Sequence, residues 1–599
     1  MKRANHLVLK LSVAALSLLA LAGCGSGEDS PLSSTAGVLS NQFSYWLPYS
    51  TPSTYYSDYN DNPMMRYLTK YHKWGANKDE LSFTFDIPSS DAVDSSFSTM
   101  LAADDLDDLF MPVTEKTTNL YEDGYVMELT DLVKQYMPNY MNWINNHASA
   151  RNSAYVKVNG EKKIIEVGSY GAKGEPWCGY QYRRDWLVKY GTNPKTGKAF
   201  TGGWNADKTA WEDDVIFPNE TSAPIYISDW EWMFNIFAKA LKAENISGGY
   251  CTSLYYMGFI PMGDLVSAFG GGGPTWYIND KTVEFGANSD NFRTYLTAMN
   301  SWYKKGWVDT HFTERTSDMF YLTDTNAVVN GKVGLFLGPT SYLGNGLKET
   351  MPDACLYPAA EPINDTYGTA EMKGVEPYCF YQLGDVGTPM AINSKAKDKK
   401  NIPALLEMLD YLYSDDGSFV NSVGFSKEIY DECQDPLYKK YGFTEGTYTW
   451  VDANGDPWTE TSTGEKKFKT DERLTANSDL NAALVSCRLP GRGYGNDKKY
   501  RTESKIYLDG INTWSKYTAS GDLLTNSAVK AGMSTEDGLS VTKINNSISE
   551  FMSKNVPTFI TGARNILDDS TWNSFKSGLG KYKPETVTAI YQSIIDSFD

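Results

Sequence analysis

The chain has 599 residues, with 74 Asp and Glu against 55 Lys and Arg, a formal net charge of −19. A balance this acidic keeps a protein dispersed and offers no basic surface to phosphates, which argues against nucleic acid or another polyanion as partner. Seven cysteines without a CxxC pair and four histidines without HExxH indicate neither a zinc knuckle, a dense disulfide scaffold nor a zinc hydrolase, so no metal and no cofactor is expected.

In chain order, Lys2, Arg3 and Lys10 precede an uncharged run from Leu11 to Ala22, the layout of a signal peptide. That run would span about 18 Å as a helix, short of the roughly 20 residues a bilayer requires, so it reads as a segment that is cleaved. Its end, Leu21-Ala22-Gly23-Cys24, resembles the bacterial lipoprotein lipobox. The resemblance implies removal of residues 1–23 and a lipid on Cys24, which would be the only link to the membrane. Residues 24–40, rich in Gly, Ser and acids, read as a flexible tether. The remainder is long enough for two or more domains with large cores and holds no second long apolar run.

The folded part is expected to start with a strand at Asn41–Leu47, followed by a helix capped at Asn62-Pro63 with Met64, Leu68 and Tyr71 on one face. A second strand at Leu81–Ile87 and a short buried one at Asp108-Leu109-Phe110 complete a βαβ opening with a parallel sheet. The carboxyl ends of such strands face a ligand crevice, which makes Trp46 and Tyr49 after the first strand, and Asp108 after the third, candidate contacts.

Further along, Ser228-Asp229-Trp230-Glu231 reads as a capping box, with Trp230, Phe234, Phe237, Ala238 and Leu241 on one helical face. The helix at Asn291–Lys305 places Phe292, Tyr295, Leu296, Met299, Trp302 and Tyr303 at core spacing, as do Leu405, Leu406, Leu409 and Leu412 in theirs. The glycine run at Phe269–Pro274 lacks the Walker lysine and reads as a flexible cleft loop presenting Trp276 and Tyr277. Asp452-Ala453-Asn454-Gly455-Asp456 opens like a calcium loop, but Pro457 and Thr463 stand where Gly and Glu belong, so a β-turn is the simpler reading. Val587, Ile590, Tyr591, Ile594, Ile595 and Phe598 form an amphipathic C-terminal helix expected to dock on the body.

Tyr (41) and Trp (16) outnumber Phe (25), favouring rings that pair a flat apolar face with a polar tip; these suit sugar binding and large α/β cores alike. No GxSxG motif is present, and adjacent acids such as Asp107-Asp108 or Asp213-Asp214 do not identify a glycosidase, whose carboxylates meet in space rather than in sequence.

Five stretches in order resemble the extracellular solute-binding proteins of bacterial ABC transporters, specifically the large sugar-type lipoproteins. They are Asp107–Phe110 with Leu120–Gly124 and Leu129-Thr130-Asp131-Leu132; Tyr182-Arg183-Arg184-Asp185-Trp186-Leu187; Gly331–Gly338; Pro389–Asn393; and Leu409–Gly417, of which the last is the most specific. The resemblance implies an α/β, two-lobe periplasmic-binding-protein-like fold of class II, with mixed sheets flanked by helices and a hinge between the lobes. Residues 41–165 would begin lobe 1, 166–375 lobe 2, and 376–599 would complete both, with an insertion near 436–537 that has no counterpart in shorter relatives. It implies capture of a neutral oligosaccharide for ABC permease subunits by a monomer that is not an enzyme. Tyr182 and Tyr342 fall where the family commonly places aromatic sugar contacts, and Trp177, Tyr255, Tyr256 and Trp276 are further candidates. A lipid-anchored polysaccharide-degrading enzyme and a glycan-docking adhesin without transporter are the alternatives.

Overall fold

A computed structural model describes residues 39–48, 54–158, 161–171, 175–261, 264–279, 281–314, 324–378, 389–495, 498–517 and 533–597. Cys24, Tyr49, Cys379 and Phe598 lie outside these residues. Ser40–Asp599 form one unit, and among the described residues no helix is long and apolar enough to cross a membrane.

Strand β1 (Gln42–Trp46) alternates as a pleated strand must: Phe43 and Tyr45 enter one apolar cluster, while Trp46 enters another on the opposite face. It pairs in parallel with β2 (Ser82–Asp86) and β3 (Leu109–Phe110), and the strand Ala391–Ile392 adds antiparallel to β3. The parallel βαβ opening is therefore present, with an antiparallel edge supplied by chain returning from far along the sequence. Asn62 caps the helix Pro63–Arg66 by accepting from Met65 N at 3.0 Å. The helix then widens into a π turn over Tyr67–Tyr71, which buries Met64 and Leu68 but leaves Tyr71 42% exposed, its hydroxyl donating to Cys433 O at 2.5 Å.

The main apolar cores separate. The first draws on residues between Phe43 and Tyr170 and between Met390 and Leu489. The second draws on Tyr180 to Ala359 and on Ile548 to Leu579. Its sheet is antiparallel, with Cys178–Arg183 between Leu335–Pro339 and Leu356–Ala359. Leu437, Tyr438, Phe443, Leu474 and Leu484 sit in the first core, so the stretch expected as an insertion contributes to the body of that lobe.

The helix Ile227–Ala243 starts earlier than the capping box suggested: Tyr226 is its N-cap, and Asp229 accepts from the N–H groups of Ile225 and Tyr226 at 2.9 Å. Its Trp230, Phe234 and Phe237, and Phe292, Tyr295 and Trp302 of the helix Asp290–Lys304, fill the second core. The glycine run does not form an open loop. Gly272, Gly273 and Pro274 are buried, and a Cβ on Gly286 would meet Gly273 O at 1.6 Å, so two backbones pack directly against each other there. The C-terminal helix Pro584–Asp596 docks through Val587, Tyr591 and Ile594 on the hairpin that holds Trp276 and Val283. Asp452 closes a turn, accepting from Asn454 N and Asp456 N at 2.8 and 3.0 Å, and Trp458 N donates to Trp450 O at 2.9 Å.

Each lobe buries an arginine against a carboxylate. In the first, Arg66 grips Asp435 with both Nε and Nη2, at 2.7 and 3.0 Å. In the second, Arg184 binds Asp213 bidentately at 2.7 and 2.6 Å, and also reaches Tyr182 Oη and Ser222 O. Asp213 in turn accepts from Trp211 Nε1 and Val215 N. Burial pushes the Asp213 carboxyl up, but Arg184 and these further donors together hold it below the usual range.

Candidate ligand-binding site

The parallel strands aim their carboxyl ends at a cavity of about 540 Å³. Leu47 and Pro48 after β1 and Met111 after β3 form one side. Ser169, Asn421, Ser422, Asn481 and the stretches Val485 to Leu489 and Gly491 to Gly493 form the rest. Two features place this cavity where the cores exchange chain. Tyr170 and Arg492 make a parallel bridge, with Tyr170 N donating to Gly491 O and Gly493 N to Tyr170 O at 2.9 and 2.7 Å. Both strands of that bridge come immediately before the chain leaves the first core for the second. A crevice at strand carboxyl ends, beside the crossing segments, is the position at which open α/β sheets bind ligands.

The wall is polar and its hydrogen-bond directions are set. Cys487 N donates to Asn421 Oδ1 at 2.9 Å, which fixes the amide so that its NH2 group is the side left to donate. Tyr494 N donates to Ser422 Oγ at 3.0 Å, leaving that hydroxyl its own proton to give. Arg492 is held by Tyr413 O at 2.7 Å, by the exposed Asp415 carboxylate and by Trp143, whose ring lies 4.9 Å from the guanidinium. Arg488 is an exposed side chain on the wall, its position set by a backbone N–H that donates to Tyr59 Oη at 2.6 Å.

Chemically this lining is suited to holding. Among the described residues it includes no Asp, Glu or His, so these supply neither the carboxylate pair of glycoside hydrolysis nor an imidazole base. Its one thiol, Cys487, is pushed up to about 12 by burial and stays protonated, which removes it as a nucleophile. The five described free cysteines, Cys178, Cys251, Cys355, Cys433 and Cys487, are all buried. No group of three or more His, Cys, Asp or Glu side chains among the described residues could hold a metal ion.

The described residues chosen from sequence lie elsewhere, and Tyr49 is outside the described residues. Trp46 is fully buried against Phe97, with ring centroids 5.2 Å apart, and its indole N–H donates to Ser96 Oγ; as the strand's last residue it points into the cluster on the sheet's other face. Asp108 precedes β3 rather than following it. It stands at the amino edge, accepting from Ser44 N at 2.9 Å and Lys400 Nζ at 2.8 Å. Tyr182 is 1% exposed and its hydroxyl accepts from Arg184. Trp276 lies under the C-terminal helix, donating to Thr588 Oγ1 at 3.1 Å. Tyr255 and Tyr256 pack on each other at 4.5 Å beside the second core, and half-buried Tyr342 sits against Phe336. Half-buried Trp177 precedes the strand Cys178–Arg183, its carbonyl accepting from Thr340 N at 2.9 Å. None of these lines the cavity. The wall comes mostly from 481–493, inside the stretch whose contacts the resemblance could not assign. Its local signal was Arg488-Leu489-Pro490-Gly491-Arg492-Gly493, two arginines in a glycine-proline loop of an acidic chain.

No protein-family model matches the chain, and no curated protein does. Solved structures do match. An extracellular solute-binding protein from Bifidobacterium longum subsp. infantis is similar at 15% identity and TM-score 0.59, over 93% of this chain and 98% of that one. An HMO-binding, ABC-transporter-associated solute-binding protein from Bifidobacterium longum infantis is similar at 15% identity and TM-score 0.58, over 93% and 98%. The Streptococcus pneumoniae substrate-binding protein FusA, as an EF-hand mutant in complex with fructo-nystose, is similar at 15% identity and TM-score 0.54, over 93% and 99%. At this identity the likeness establishes the fold: the chain has the two-lobe α/β fold of transporter solute-binding proteins.

Proposed function

We propose that this chain is an exported solute-binding protein, anchored by a lipid on Cys24, that captures an oligosaccharide between its lobes and hands it to the permease of an ABC transporter. The observation that carries the reading is the polar cavity at the carboxyl ends of β1 and β3, beside the segments that join the cores, within this fold. The neighbours' ligands, an HMO and a fructan among them, motivate the sugar. A lining that includes neither a carboxylate pair nor an imidazole favours capture over turnover. A receptor on a lipid tether stays at high effective concentration beside its permease, which explains why anchor and cavity would occur together. The same reading has the protein act as a monomer.

Calorimetry of the whole chain against a glycan panel, paired with small-angle scattering, tests the reading. Saturable binding with compaction of the scattering profile is expected, because a ligand gripped by both lobes shifts the population toward the closed form. Glycan products released on prolonged incubation, or tight binding of peptides with none of glycans, would overturn it. Replacing Cys24 with alanine is expected to move the protein from the membrane to the soluble fraction.

A further inference from the structure

An aromatic shelf adjoins the cavity at two points of its wall. Asn421 and Ser422 of the wall belong to the helix Asp415–Val423, and Phe419 stands on that helix one turn before Ser422. Tyr494 follows Gly493 of the wall, and its backbone N–H donates to Ser422 Oγ at 3.0 Å. The rings of Phe419 and Tyr494 meet edge to face, with centroids 4.8 Å apart at 86°. Trp450 lies nearly parallel to Phe419, at 5.5 Å and 8°. It comes from the hairpin of Tyr448–Val451 with Lys467–Thr470, inside the stretch expected as an insertion.

The hairpin has a core of its own. Val423, Tyr448 and Phe468 are buried there, whereas Phe419, Trp450 and Tyr494 are only partly buried around them. Trp450 already holds Phe419 and Lys466, whose Nζ is 4.4 Å from the ring centroid, so it frames the shelf. Tyr494 is the ring next to the wall. A phenol pairs an apolar face for the C–H side of a sugar ring with a hydroxyl for the sugar's own hydroxyls. Continuity with the cavity names the occupant. At about 540 Å³ the cavity falls in the range of about 300–1,000 Å³ that encloses a drug-sized ligand, and a longer glycan must leave over an edge. Resting on the oligosaccharide reading above, we infer that the ligand is a chain longer than the cavity holds, whose next sugar unit stacks on Tyr494 as it leaves past Ser422 and Gly493.

The test is calorimetry of the whole chain with fructo-, malto- and cello-oligosaccharide series of two to six units. In a series that binds, affinity is expected to step up about tenfold on adding the unit that reaches the shelf. Tyr494→Leu keeps apolar volume against Phe419 but removes the flat face. It is expected to abolish the step while leaving the shorter members within about twofold, and Tyr494→Phe to keep most of the step, with unchanged melting temperatures showing that both variants fold. An affinity that does not rise with length, or an equal loss for short and long members in folded Tyr494→Leu, overturns the inference and leaves the oligosaccharide reading standing. So does a dimer in solution scattering that Tyr494→Leu dissociates, which gives the shelf to a second copy of the chain. Absence of binding by every glycan overturns both.

Discussion

Arg184 in the second lobe and Arg488 at the edge of the first are the same side chain in opposite settings. Arg184 is buried and saturated: Asp213 takes it bidentately, Tyr182 Oη and Ser222 O accept from it, and its guanidinium lies 4.8 Å from the Tyr357 ring. Arg488 is an exposed side chain at a cavity whose described lining includes no acid. The first charge has already been matched by the chain and serves architecture. The second is exposed on a surface loop, so the two differ in how much a substitution must cost.

The largest effect should come from breaking the saturated pair. Asp213→Ala strands a buried guanidinium, and a loss of about 3–5 kcal/mol is expected by chemical denaturation, because the cost is that of an uncompensated buried charge. The same measurement on an Arg488 variant should show a change within about 0.5 kcal/mol, as for an exposed side chain. If the two losses were equal, the contrast between the arginines would collapse. Since Asp213 is held below its ordinary range, its contribution is present at neutral pH and is lost only as pH falls through that depressed value.

Glu166 gives the opposite sign. It lies between the buried Ile165 and Val167, has an Oε2 without a hydrogen-bond partner among the described residues, and is pushed up to about 7 by burial. A raised carboxyl binds its proton more tightly in the folded state. Stability should therefore be full below the unfolded value near 4.5 and fall as pH rises toward 7, by roughly 3 kcal/mol in all. Glu166→Gln should flatten that dependence and make the protein more stable than the parent at pH 8, as read by urea midpoints.

Asn421→Asp is the sharper test at the cavity. It keeps the acceptor for Cys487 N but replaces the amide's N–H donors with a charged acceptor, and should weaken glycan binding measured by calorimetry by about tenfold. Smallest is Lys116→Ala. Lys116, of the first lobe, donates to Met533 O at 2.5 Å, at the start of a helix whose later turns fill the second core. Loss of this exposed-edge tie should cost less than about 1 kcal/mol, and its effect should appear instead as a larger radius in solution scattering.

The sequence by itself determined the secondary elements and the core faces. Period-two alternation in β1 and the i, i+3, i+4 spacing in Asp290–Lys304 depend on neighbours a few residues away, so they can be read locally, and the order of motifs was enough for the two-lobe fold. The cavity was not legible in this way. Trp46 and Tyr182 carry the residue types a sugar site wants, but whether a ring faces the core or the cleft depends on which partner arrives; Phe97 and Arg184 claimed them first. The formal charge of −19 was likewise a property of the whole chain, silent about the sign of one cavity. Only tertiary structure brought residues 481–493 back to the carboxyl ends of β1 and β3, across more than 370 positions of sequence, and assembled the wall from loops that have no periodicity to announce them.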